Sequence, residues 1–112
     1  NNELSYSRHS GIDIAAPRGT EVISSNTGKV VLAKELILTG NTIIVDHGLG
    51  IFASYYHLDS MNLAKGDMVE KGQVIGTVGS TGFSTGPHLH FSISVYNSYV
   101  NTHQVLEEGI LR

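Results

Sequence analysis

Asn41-Thr42-Ile43-Ile44-Val45-Asp46-His47, then Gly48-Leu49-Gly50, then Ile51-Phe52-Ala53-Ser54-Tyr55-Tyr56-His57 is the passage that decides the fold. Two runs dense in β-branched and aromatic residues flank a glycine pair, the signature of antiparallel strands joined as a hairpin. Upstream, the turn signal Asn26-Thr27-Gly28 leads into a strand from Lys29 to Lys34, around Val30-Val31-Leu32. Before that, the turn Pro17-Arg18-Gly19-Thr20 precedes a short strand, Glu21-Val22-Ile23-Ser24. The apolar stretch Leu36-Ile37-Leu38-Thr39-Gly40 fits a hairpin tip or an edge segment equally well. Downstream, His57 ends a strand, and Lys65 to Gly79 alternates short apolar stretches with glycine turns. A strand from His88 to Tyr96 follows, and Asn101 to Gly109 fits one or two helical turns with Thr102 as a cap. Short strands at turn-punctuated spacing predict an all-β sandwich or barrel.

Composition bounds the rest. With 112 residues the chain is expected to form a single domain spanning 1–112, enough for one core and too little for two. A hydrophobic share of 40% against 15% charged residues argues against disorder. The net charge of -3 leaves no electrostatic footprint for nucleic acid. No apolar run in these residues is long enough to span a bilayer, and none has the pattern expected of a signal peptide. The chain opens at Asn1-Asn2-Glu3 without a Met, as expected of a fragment of a longer protein. The absence of cysteine excludes disulfides and thiolate zinc sites, so a metal would have to be held by His, Asp or Glu.

The chemistry gathers around Ser80-Thr81-Gly82-Phe83-Ser84-Thr85-Gly86-Pro87-His88-Leu89-His90-Phe91. In an extended strand, residues i and i+2 share a face, so His88 and His90 project together while Leu89 and Phe91 point to the core. Taken alone, a His-x-His pair is more often two half-exposed histidines than a site. His9 and Asp13, four apart, share a face in a helix or a strand, and Gly11, Ile12 and Ile14 disfavour the helix. Alone, that spacing is equally ordinary. Together, His9, Asp13, His57, His88 and His90 provide more than the three His or carboxylate ligands of a catalytic zinc, with imidazoles to spare for proton transfer. Spacing does not say which three bind.

Three motifs in order carry a resemblance. Arg8-His9-Ser10-Gly11-Ile12-Asp13, Tyr56-His57-Leu58 and the passage from Gly79 to Phe91 resemble the M23 metallopeptidases, the lysostaphin-type or LytM domains, over nearly the whole chain. The resemblance implies a mostly antiparallel, two-sheet, lysostaphin-type fold with an open groove and little helix. It implies one zinc held by His9, Asp13 and His90, and a metal-bound water assisted by His57 and His88, whose individual roles stay open. The loop from Ser80 to Gly86 would wall the substrate cleft, its small residues admitting a peptide backbone. The implied activity is hydrolysis of peptide cross-links in bacterial peptidoglycan, outside the cytoplasm in the periplasm, envelope or medium.

The chain departs from the pattern at Ser92, where relatives commonly carry Glu, a position expected to be structural. Tyr6, Tyr55 and Tyr56 are candidates for an oxyanion-assisting tyrosine, against plain packing for each. His47 reads as hairpin scaffolding, His103 as a solvated tail residue, and Asp46, Asp59 and Asp67 as local turn partners. A different class of reading is a catalytically silent LytM-like module that activates another cell-wall hydrolase. It predicts lost ligands, whereas all five positions are intact. The run Val69-Glu70-Lys71-Gly72-Gln73-Val74-Ile75-Gly76 has the rhythm of a biotinyl carrier but lacks a Met-Lys-type tip.

Overall fold

A computed structural model describes the backbone of residues 7–96 and the side chains of residues 11–95. Eight strands appear in chain order: β1 (Ser7–Ala15), β2 (Glu21–Ile23), β3 (Gly28–Leu36), β4 (Gly40–Asp46), β5 (Ile51–Met61), β6 (Met68–Val69), β7 (Val74–Val78) and β8 (His88–Tyr96). All pairings are antiparallel. Among the described residues there is no helix, hence none long and apolar enough to cross a membrane. The all-β expectation holds. The expected helical turn at Asn101 to Gly109 lies outside the described residues.

The main path of the sheet runs β1-β8-β5-β4-β3-β6, and β7 branches from it by pairing with both β5 and β2. The two layers expected from the sequence are therefore two arms of one connected sheet. β5 makes the connection because it is eleven residues long. Its first part, from Ile51 to Tyr56, pairs with β8, and its last part, from Leu58 to Met61, pairs with β7. The hairpin read from Asn41 to His57 is β4–β5, closed by Ile51 N–H donating to Gly48 O at 3.0 Å. Its second strand runs past His57 to Met61. The ambiguous Leu36 to Gly40 stretch is the tip of the β3–β4 hairpin, with Leu36 opposite Gly40.

Alternation sorts the faces. Ile43 and Val45 of β4, Ala53 and Tyr55 of β5, and Leu89 of β8 enter the main core with Val22, Val30, Leu58, Val69, Ile75 and Val78. Ile51, Ile93 and Val95 form a smaller cluster joined through Phe91. Burying each such side chain contributes roughly 1.5–3 kcal/mol, the main force holding the arms together. Tyr55 is 2% exposed, rests its ring 5.2 Å from that of Phe91 and accepts a hydrogen bond from Ser25 N–H. It belongs to the core. The opposite face carries Asp13, Tyr56 and His90, which lie opposite one another on β1, β5 and β8.

One irregularity in β5 decides what reaches that face. Asn41 pairs with Leu58 and Ile43 with Tyr55, so Tyr56 and His57 together oppose Thr42. This is a β-bulge, one residue extra on β5. Strict alternation would send His57 inward beside Tyr55 and turn Leu58 outward. With the extra residue, His57 takes a left-handed conformation at φ 64, and Leu58 returns to the core, fully buried.

Candidate active site

Asp13 of β1 lies opposite His90 of β8, and His90 in turn lies opposite Tyr56 of β5. The three side chains cross the sheet in one row. His90 Nδ1–H donates to Asp13 Oδ1 at 2.6 Å, and its ring stacks on Tyr56 at 5.3 Å with 17° between planes. Gly11 makes room for this imidazole: a Cβ there would lie 3.0 Å from His90 Nε2. Asp13 is largely exposed. The hydrogen bond from His90 holds its carboxyl below the usual carboxylate range, with the nearby charge of His90, His88 and His57 adding to that and desolvation opposing it.

His88 opens β8 and reaches the same carboxylate, its Nε2 lying 3.7 Å from Asp13 Oδ1. Its Nδ1 faces Gly86 O at 2.9 Å and the Ser84 hydroxyl at 3.2 Å. A carbonyl oxygen only accepts, so Nδ1 carries the hydrogen and Nε2 is left for the cleft. His57 closes the group with its ring 4.9 Å from that of His88. It is 8% exposed, and its Nδ1 faces Thr81 O at 2.7 Å, which again assigns the hydrogen to Nδ1. Both imidazoles thus direct Nε2 toward shared space.

The loop between β7 and β8 is anchored rather than free. Phe83 N–H donates to Leu38 O of the β3–β4 tip at 2.9 Å. Gly82 and Gly40 press together so closely that a Cβ on Gly82 would lie 2.4 Å from Gly40 N. Both take left-handed φ, 74° and 67°, which glycine adopts without steric cost. Phe83, Leu38 and Ile37 remain exposed around this junction.

The structure brings together four of the five residues singled out in the sequence: Asp13, His57, His88 and His90. His9 lies on β1 opposite Ser94, four rungs from the Asp13–His90 pair, and its side chain lies outside the described residues. Among the described residues, no group of three His, Asp or Glu is arranged as a metal cage. The donor chemistry still fits zinc in part, since a carboxylate oxygen and an imidazole nitrogen converge on an exposed face. His47 serves the scaffold, with Nδ1 facing Thr27 O at 2.7 Å. Ser92 is buried on β8, opposite Gly11. Tyr6 and His103 lie outside the described residues. In the sequence Thr81 stands only as a member of the Gly79 to Phe91 motif and its cleft-wall loop, and the hydrogen bonds it makes carry no local sequence signal.

Three imidazoles and one carboxylate on the open face of an antiparallel sheet have the composition of a hydrolytic centre. Comparison with known proteins is consistent with this. The model of peptidase family M23 matches residues 7–102, and the chain belongs to that family. It is 40% identical over 93 residues to the peptidoglycan DD-endopeptidase ShyB of Vibrio cholerae, covering 83% of this chain and 22% of that protein. The chain thus spans about a fifth of the length of that curated relative. Among solved structures, the catalytic domain of the antimicrobial peptidase lysostaphin from Staphylococcus simulans superposes with a TM-score of 0.73 at 40% identity, covering 82% of this chain and 70% of that one. A zinc-containing peptidase from Vibrio cholerae gives 0.75 at 40% identity, covering 80% and 28%.

Proposed function

We propose that residues 1–112 form a single peptidase domain that hydrolyses peptide cross-links of bacterial peptidoglycan with one zinc ion, working outside the cytoplasm. The observation that carries this reading is the convergence of Asp13, His57, His88 and His90 on one open face. Asp13 and His90 would hold the zinc, with His9 as the third donor on the strength of the family motif. Zinc, when bound, supplies Lewis acidity that polarises a carbonyl and acidifies water. His57 and His88 do the proton work. Each is fixed by a carbonyl at Nδ1, so each offers Nε2 to the reacting group. The unprotonated ring accepts the proton of the attacking water, and the protonated ring donates to the oxyanion or the departing amine. The Asp13 carboxylate lies 3.7 Å from His88 Nε2, on the side of the ring that faces the cleft. Ser84 and Gly86 keep the cleft wall low enough for a peptide backbone to approach, with open space where a Gly86 Cβ would lie.

The test combines elemental analysis with digestion of purified peptidoglycan, with and without chelator, for the wild type and for His90→Ala. The expected results are about one zinc per chain, its loss in the variant, and chelator-sensitive release of cross-linked peptides. Digestion that survives complete removal of metal would refute the zinc mechanism. Bound zinc without turnover would point instead to a module that activates another wall hydrolase.

A further inference from the structure

The bulge that turns His57 toward the cleft leaves the β4–β5 ladder with a gap, and Thr81 fills it from outside the ladder. Its hydroxyl donates to Leu58 O at 2.8 Å and accepts from Asn41 N–H at 3.0 Å. Asn41 and Leu58 are the register pair just beyond the extra residue. A single hydroxyl thus stands in for the ladder contact that the bulge opens. One atom group away, the carbonyl of the same residue receives the imidazole of His57 at 2.7 Å.

His57 needs such support. A non-glycine residue in the left-handed region is strained and persists only where its surroundings over-determine it. The backbone N–H of His57 leaves the ladder and donates to Thr39 O at 2.8 Å, while its side chain is held by Thr81. The Asn41 side chain adds a donor to Leu58 O at 3.0 Å. Of these partners, only Thr81 touches both the gap and the ring.

We infer that Thr81 is a positioning residue for His57, its hydroxyl bracing the bulge and its carbonyl fixing which ring nitrogen carries the hydrogen. A hydrogen on Nδ1 leaves Nε2 as the acceptor in the cleft. Without the brace, the loop carbonyl drifts from the ring, and the neutral imidazole populates both protonation sites. The catalytic importance of this effect rests on the function proposed above. The ring state itself does not.

The test uses the zinc-loaded chain, with Thr81→Val to remove the hydroxyl at nearly constant shape and Thr81→Ser to restore it. Nitrogen-15 NMR of the His57 ring reports which nitrogen is protonated, and muropeptide hydrolysis supplies kcat and KM. In the wild type, Nδ1 should be the protonated nitrogen of the neutral ring. Thr81→Val should mix the two forms and lower kcat about 30-fold, less than the roughly 10²–10⁴-fold that a general acid–base group contributes outright, with KM and zinc content nearly unchanged. Thr81→Ser should restore both readouts. A wild-type ring with a bare Nδ1 overturns the inference even if no variant folds. So does Thr81→Val with an unaltered ring signature, or Thr81→Ser as impaired as the valine variant. Failure of the proposed activity would show separately, as a wild type that does not hydrolyse its substrate while the ring measurement still decides the role of Thr81.

Discussion

Replacing Gly82 by alanine should destabilise the protein through two separable effects. The first is conformational: φ is 74° at this position, and a Cβ there costs about 1–2 kcal/mol. The second is steric. The new methyl would lie 2.4 Å from Gly40 N and 2.7 Å from Leu38 O, both backbone atoms with no rotamer to yield. Relief requires the β7–β8 loop to part from the β3–β4 tip. That strains the Phe83–Leu38 and Asn41–Thr81 hydrogen bonds, each worth about 1 kcal/mol. The sum is about 3–4 kcal/mol, or roughly 12–16 °C in Tm for a domain of this size. Gly72→Ala is the control, because its φ is 83° but nothing lies within 4 Å of the added Cβ. It should lose only the conformational part, roughly 4–8 °C. Thermal unfolding followed by circular dichroism measures both. Equal losses in the two variants would refute the argument, since the close approach would then contribute nothing.

Gly11→Ala places a Cβ 3.0 Å from His90 Nε2, against a ring already held by Asp13 and Tyr56. The variant should fold with a near-normal melting curve but bind zinc at least about tenfold more weakly by competitive chelator titration, as seen when the setting of a metal ligand is disturbed. Tyr55→Phe removes the acceptor of Ser25 N–H and should cost about 1–2 kcal/mol in urea unfolding. Because Tyr55 faces the core, its turnover should match the wild type, and a large loss of kcat would reinstate it as an oxyanion partner. The lowered pKa of Asp13 means its folded-state contact favours the ionised form. Its contribution to stability is full above the unfolded carboxylate pKa, about 3.9, and disappears as pH falls through the lower folded value. Carbon-13 NMR titration of the metal-free Asp13 carboxyl should therefore show a midpoint below that of an Asp13-containing peptide, and His90→Ala should raise it.

Much of this was legible because it follows a period of two. Leu89 and Phe91 against His88 and His90 announced both the strand and its two faces, and the β4–β5 hairpin was marked by its glycines. His57 was recognisable as a site residue only through its motif. Alternation from Tyr55 predicts that it points inward, and nothing beside it signals a bulge, since the left-handed position holds no glycine. What turns it outward is distant in sequence: the carbonyls of Thr39 and Thr81 and the hydroxyl inserted between Asn41 and Leu58. The Leu36 to Gly40 stretch was ambiguous for the same reason, because its exposed apolar tip makes sense only beside the loop that packs on it. The joining of two arms by β5 also escaped the sequence, which shows a strand's length poorly when a bulge interrupts its pattern.

Among the described residues, β1 has β8 as its one strand partner, while β8 and β5 are flanked on both sides. The acid of the cluster therefore rides on an outer strand and the imidazoles on inner ones. Outer strands open at a lower free energy than the whole domain unfolds, so β1 can peel from β8 while the core stays intact. Such a fluctuation would take Asp13 away from His90 and His88 and leave three histidines in place. Whatever bridges Asp13 and His90 also fastens that edge, making occupancy of the cleft and closure of the strand a single equilibrium.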